Sequence, residues 1–243
     1  MTLVPEERPR DPIVDGPAGE RSGPGTTGLV AAAAVFGVPA ILVALAVVLN
    51  WDPVITLDRS VAVFLHGYAV DHPAVARVTQ VWTDVFGPWT WRVSVVVVAV
   101  WTFLHRRRLV AVWALAALVL GGAVDGGVKL LLGRTRPVWT DPVSQASGPS
   151  FPSGHALTSA LGGAILVLLV WPALCQGLRR TICPVVATAV FLTGFSRLLL
   201  GVHYLSDVVA GWLFALSLVS ATCLWMARPG HPGRCEGPPR PAR

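Results

Sequence analysis

Three short clusters in this chain of 243 residues combine fixed cations, a turn at a helix start and two histidines. Lys129 is followed, after six intervening residues, by Arg136-Pro137; Pro152-Ser153-Gly154-His155 comes next, and Ser196-Arg197 leads on to His203 and Asp207. Phosphoryl transfer needs cations on the equatorial oxygens, a nucleophile in line and an acid for the leaving oxygen. Each cluster supplies one of these parts, so the set suits a phosphate ester.

Lys129 is the only lysine in the chain, so its place in a span hints at a specific task. The plain alternative is an ion pair with Asp125, four residues earlier on the same helix face. Arg136 offers a planar fork for two phosphate oxygens, or simply an interfacial anchor; Arg134 has the same alternative and a weaker case. Ser153 and Gly154 stand where a loop enters a helix, and free N–H groups at a helix start face an anion well. Ser153 also reads as an ordinary N-cap. His155 can serve as a general acid, or be a satisfied interfacial histidine.

His203 and Asp207 are four apart, so on a continuous helix they share a face and the carboxylate meets the imidazole. An oriented histidine with its other nitrogen free is a competent nucleophile. A general base for water, or a structural His–Asp bond capping a span, are the other readings. Arg197, inside an apolar helix, is a buried cation for which a bound phosphate gives a reason.

The elements that must hold these residues are membrane helices. Hydrophobic residues make up 53% of the chain and charged ones only 13%, and the apolar runs reach the roughly 20 residues that a helical crossing takes. The expected fold class is all-α, a polytopic membrane protein of six spans: 29–49, 86–104, 109–132, 156–174, 183–202 and 204–226. Intramembrane ionisable groups mark the third, fifth and sixth as lining a polar cavity. Val61, Phe64, Leu65 and Tyr68, then Val75, Val78, Trp82 and Val85, repeat at helical spacing and predict one or two amphipathic surface helices before the second span. They form a lip over the site or pack on the bundle. Segments 1–28 and 227–243 carry Pro, Gly and charge without periodicity and are expected to be disordered tails around a single membrane domain, 29–226.

Arginines set the expected orientation. Arg106, Arg107 and Arg108, and Arg179 and Arg180, flank spans on one side, and positive loops stay cytoplasmic. Both termini are then cytoplasmic, and all three clusters converge on the extracytoplasmic side of the plasma membrane. The net charge of +6 is accounted for by arginines at span ends and in the C-terminal tail, where anionic lipid is the ordinary partner. Nothing points to nucleic acid. Cys175, Cys183, Cys223 and Cys235 lack metal-ligand spacing, and disulfides are not expected on the cytoplasmic side.

Together the clusters resemble the three-part signature of the type 2 phosphatidic acid phosphatase (PAP2) superfamily, which holds integral membrane lipid phosphatases and soluble vanadium haloperoxidases. The signature covers about 80 residues, with no departure at any motif position. The resemblance implies that His203 forms a phosphohistidine, that Asp207 orients and activates it, and that His155 protonates the leaving oxygen and then activates water. It implies that Lys129, Arg136, Arg197, Ser153 and the Gly154 backbone hold the phosphate, with no metal or other cofactor. The expected substrate is a membrane lipid phosphate or pyrophosphate. The outward site and compact layout favour undecaprenyl pyrophosphate; phosphatidylglycerol phosphate and phosphatidic acid stand close behind. A soluble haloperoxidase conflicts with six spans, and a non-catalytic lipid-binding or transport protein is the alternative of another class. Oligomeric state is open.

Overall fold

The computed structural model describes residues 26–227 as α1 (Thr26–Val48), α2 (Asp52–Asp71), α3 (Pro73–Val85), α4 (Pro88–Leu104), α5 (Arg108–Leu132), α6 (Gly154–Val170), α7 (Gln176–Leu199) and α8 (Leu205–Ala227). A single 3-10 turn, Trp171–Ala173, follows α6, and no strand occurs among the described residues. Six helical stretches are long and apolar enough to cross a membrane, with α3 and α4 counting as one stretch. The all-helical, multi-pass architecture matches the composition. The expected tails lie outside the described residues, except that 26–28 and 227 belong to α1 and α8. Cys175, Cys183 and Cys223 are free thiols.

One span begins earlier than expected. The apolar run starts near Cys183, but α7 extends back to Gln176 and carries Pro184 in its interior. Proline removes one N–H bond and strains the turn before it, which the chain accommodates here. The polar first turns, with Arg179 and Arg180, hide this extension from a reading by hydrophobicity.

The spans pack around α6, which contacts α4, α5, α7 and α8 and is the most buried of them. Its face of Leu157, Leu161, Ile165 and Leu169 meets Val95 and Ala99 of α4, Ala114 and Ala117 of α5, and Ala215 and Val219 of α8. Small residues opposite large ones let helix backbones approach when lipid offers no hydrophobic drive between them. Gly211 shows the limit: a Cβ there would lie 2.9 Å from the Ser153 carbonyl oxygen and 3.0 Å from the Leu157 nitrogen. α8 therefore presses directly on the start of α6. α1 lies along α8, and the Ser217 hydroxyl donates to the Ala33 carbonyl.

Two separate helices precede α4. α2 packs on α7 and α8, and α3 packs on α7. The inward face of α2 is Asp58, Ala62, His66 and Ala69, whereas Phe64 and Tyr68 are exposed, as are Val75, Val78 and Val85 of α3. Each helix thus rests on the bundle by one face and leaves an apolar face uncovered.

The chain between α5 and α6 folds over one end of the bundle. Gly133, with φ of 55°, ends α5 in the left-handed conformation and donates its N–H to the Lys129 carbonyl, a common helix stop. Ser150 N–H then bonds the Arg134 carbonyl, the Trp139 indole donates to the Gly201 carbonyl at 2.7 Å, and His66 stacks on Trp139 with ring centres 3.9 Å apart. The loop is pinned to both α2 and the α7–α8 corner.

Candidate active site

The corner between α7 and α8 sets most of the geometry. α7 ends at Leu199, two residues after Arg197, and α8 starts at Leu205, so His203 stands in the turn between the helices. This agrees with the expected spans, 183–202 and 204–226, which leave His203 in a short turn; the two residues do not share one continuous helix. They still meet because Asp207, in the first turn of α8, reaches back: its Oδ2 accepts the Tyr204 N–H at 2.9 Å and lies 3.3 Å from His203 Nδ1. A carboxylate in the first turn is also favoured by the helix dipole. Both side chains are buried, Asp207 completely.

His203 Nε2 accepts from Arg136 Nη1 at 2.9 Å. With Nδ1 facing a carboxylate and Nε2 accepting, the ring is placed as the neutral tautomer protonated on Nδ1. Burial pushes its pKa down to about 4; the Asp207 contacts resist this shift, and the charges of Arg136 and Arg197 add to it.

Arg136 is spread widely. Besides Nε2 it donates to the carbonyls of Gly148 at 2.9 Å, Val202 at 2.8 Å, Pro149 at 3.2 Å and Ser147 at 3.3 Å. Burial lowers its pKa against the pull of Asp207 and Asp125.

Arg197, only 6% exposed, donates from Nη1 to Thr83 Oγ1 at 3.2 Å, and its Nε has no hydrogen-bond partner among the described residues. No ion pair within 4.0 Å compensates it among the described residues. An unpaired buried cation is costly unless something anionic joins it.

Lys129 does form the ion pair with Asp125, at 2.7 Å and 2.6 Å to the two carboxylate oxygens. The pair sits against the start of α6, where a Cβ on Gly154 would come within 3.1 Å of Lys129 Nζ. A side chain there would push the ends of Lys129 and Asp125 back by a few tenths of an ångström.

Ser153 departs from the simple N-cap. Its backbone takes the N-cap position, but its hydroxyl makes no cap bond and is buried without a partner among the described residues. Its N–H instead bonds the Asp207 carbonyl at 3.0 Å, tying the start of α6 to the start of α8. The first-turn N–H groups that follow, from Gly154 and His155, have no carbonyl within the helix.

These groups converge on a cavity of about 490 Å³ lined by Lys129, Arg136, Gly154, His155, Arg197 and His203, together with Thr83, Asp84, Trp89, Arg92 and Asp125. Ser153 and Asp207 stand behind that lining. The structure thus brings all eight residues singled out from the sequence into one site. The arrangement holds a neutral imidazole backed by a carboxylate, a second histidine, and fixed cations around one volume.

Sequence reasoning gave Arg134 little weight and missed Asp58, Ser206 and Thr83. Arg134 Nη1 donates to Asp207 Oδ1 at 2.6 Å while Nη2 donates to Asp58 Oδ2 at 2.7 Å. Burial opposes the Arg134 charge, but Asp207 and Asp58 outweigh it and raise its pKa. The available signal for Asp58 was its position on the inward face of α2, four residues before Ala62.

Residues 110–230 match the PAP2 superfamily. Among curated proteins, the lipid A 4'-phosphatase of Rhizobium etli is 37% identical over 49% of this chain and 51% of its own length. The phosphatidylglycerophosphatase B of Escherichia coli K12 is 37% identical over 34% of this chain and 30% of its own. The chain thus spans about half the length of the former relative and about a third of the latter. In fold it is similar to a crystallographically solved transmembrane PAP2-type phosphatidylglycerolphosphate phosphatase from Bacillus subtilis. That match has a TM-score of 0.69 at 21% identity and covers 80% of this chain and 95% of the other. With the signature residues gathered at one cavity, and with sequence and fold agreeing, the chain belongs to the PAP2 superfamily.

Proposed function

We propose that this protein is a membrane lipid phosphatase that removes the terminal phosphate of a lipid phosphate or pyrophosphate through a phosphohistidine on His203. One observation carries the reading: a neutral imidazole, backed by Asp207, opens on the same cavity as Arg197, a buried cation with no carboxylate within ion-pair distance among the described residues.

Lys129, Arg136, Arg197, the Ser153 hydroxyl and the Gly154 N–H hold the phosphate oxygens. Arg136 leaves Nε2 for the phosphate, and Nε2 attacks phosphorus. As the N–P bond forms, the P–O bond to the leaving group breaks, and that oxygen takes a proton from His155. Asp207 stabilises the positive charge that develops on the imidazole. His155, now neutral, draws a proton from water, whose oxygen attacks phosphorus; the N–P bond breaks and inorganic phosphate departs.

The arginine distribution supports an extracytoplasmic site with both termini cytoplasmic. A polyprenyl pyrophosphate such as undecaprenyl pyrophosphate is the favoured substrate. The position of Arg92 in the cavity lining, as a further cation beside the site, adds support for a second phosphate. The relatives' names point to phosphorylated bacterial lipids generally, which keeps phosphatidylglycerol phosphate and phosphatidic acid as alternatives.

Phosphate release in detergent with EDTA, from each of these three lipids, tests the proposal against His203→Ala. Release that the substitution abolishes is the expected result. A folded wild type inert on all three lipids overturns it in favour of a binding or transport role.

A further inference from the structure

α2 enters the site through a single buried carboxylate. Asp58 is 2% exposed and sits in the middle of a helix whose outer face is apolar. Its Oδ1 accepts the Ser206 N–H at 2.8 Å, and its Oδ2 accepts both the Ser206 hydroxyl and Arg134 Nη2, the latter at 2.7 Å. Arg134 Nη1 continues to Asp207 Oδ1 at 2.6 Å and to the Ser206 hydroxyl at 2.7 Å, and the guanidinium lies 4.4 Å from the centre of the Tyr204 ring.

One guanidinium is therefore shared by two carboxylates. Asp207 gives one oxygen to His203 and Tyr204 and the other to Arg134, so the cation holds the carboxylate in the plane that faces the imidazole. If Arg134 had Asp207 as its sole partner, its charge would cancel that of the carboxylate. With Asp58 on its other side, the three groups carry a net charge of −1, and negative charge remains to face the imidazole when it becomes cationic. At these separations and this burial the effect is not screened as it would be at a surface.

We infer that Asp58 is a positioning residue for the reaction, acting through Arg134 to aim Asp207 and to leave the three groups net negative toward the imidazole. The inference rests on His203 being the nucleophile. Asp58 is not among the residues lining the cavity, and its hydrogen bonds go to Arg134 and Ser206.

The experiment compares phosphate release from undecaprenyl pyrophosphate and from phosphatidic acid in detergent for wild type, His203→Ala, Asp58→Asn, Arg134→Gln and the double variant Asp58→Asn/Arg134→Gln. Asparagine keeps the shape and an acceptor for Ser206 but removes the charge. Asp58→Asn is expected to lower kcat roughly 10- to 100-fold with KM changed less than about 2-fold, because the lost interaction counts mainly in the transition state. The double variant restores the net charge of −1 and is expected to recover about tenfold of that loss. A merely structural role predicts the reverse, with the double variant no better than the single one.

Wild-type kcat in Asp58→Asn, or a double variant no faster than it, overturns the inference. Retained activity in His203→Ala overturns the underlying reading instead. If Asp58→Asn does not purify folded, Ser206→Ala, which removes the hydroxyl shared by Asp58 and Arg134, is expected to lower kcat at constant KM; wild-type kcat there overturns the inference.

Discussion

Arg136 donates a hydrogen bond at 2.9 Å to Nε2 of His203, the nitrogen proposed to attack phosphorus. The group proposed to hold the phosphate thus occupies the nucleophile's lone pair until an anion offers a better acceptor. A phosphate group is that acceptor, since it offers the guanidinium a full negative charge and a bidentate partner that a neutral imidazole nitrogen does not.

Arg136→Ala is therefore expected to lower kcat/KM roughly 100-fold and to weaken inhibition by orthovanadate. Arg136→Lys keeps a charge but not the planar fork, and should recover no more than about tenfold of the loss. Steady-state kinetics with a vanadate titration check both. Full recovery by lysine would show that charge alone suffices.

The second prediction concerns the His203 proton. Burial disfavours the cation, Asp207 favours it, and Arg136 and Arg197 disfavour it, with a net shift from 6.5 down to about 4. The ligand-free protein should hold this imidazole neutral throughout the range where an ordinary histidine titrates, and the signal should move only as pH falls toward 4. Carbon-13 NMR of labelled histidines, with the resonance assigned by its loss in His203→Asn, reads this directly. The unfolded chain binds this proton below about 6.5 and the folded one does not, so the histidine costs stability as pH falls from there to about 4. A midpoint near 6.5 would mean a solvated ring.

Ser153 supplies a third test, because capping and catalysis predict opposite things. A working N-cap loses about 1 kcal/mol when replaced by alanine, but the Ser153 hydroxyl makes no cap bond and is buried without a partner among the described residues. Ser153→Ala should leave the thermal midpoint within about 2 °C while phosphate release falls roughly tenfold, the value of one hydrogen bond to a charged group. Thermal unfolding measured beside kcat separates the two roles.

Much of this site was legible in the sequence because its residues are chemically out of place. Lys129 and Arg197 stand out in apolar helices, and His155 stands out at a helix start. The spans were legible because lipid demands long apolar runs, and α7 was misjudged at Gln176–Ile182 where polar turns extend the helix past the apolar stretch. The Asp58–Arg134–Asp207 chain was not legible. Arg134 looked like one more interfacial arginine, and Asp58 is paired with groups that only tertiary folding brings near, 148 residues away in the case of Ser206. His203 was expected in a turn and near Asp207, and both hold; the carboxylate that reaches backward to the Tyr204 N–H was not legible.

α2 and α3 each send a polar side chain inward, Asp58 to Arg134 and Thr83 to Arg197, while turning Phe64, Val78 and their neighbours outward. They form a wall of the site that is tied to the bundle on one side by these two polar contacts and left uncovered on the other. Whatever amphiphile covers those outer faces therefore solvates the back of the same two helices that contact Arg134 and Arg197, so the choice of detergent is also a choice of surroundings for one wall of the site.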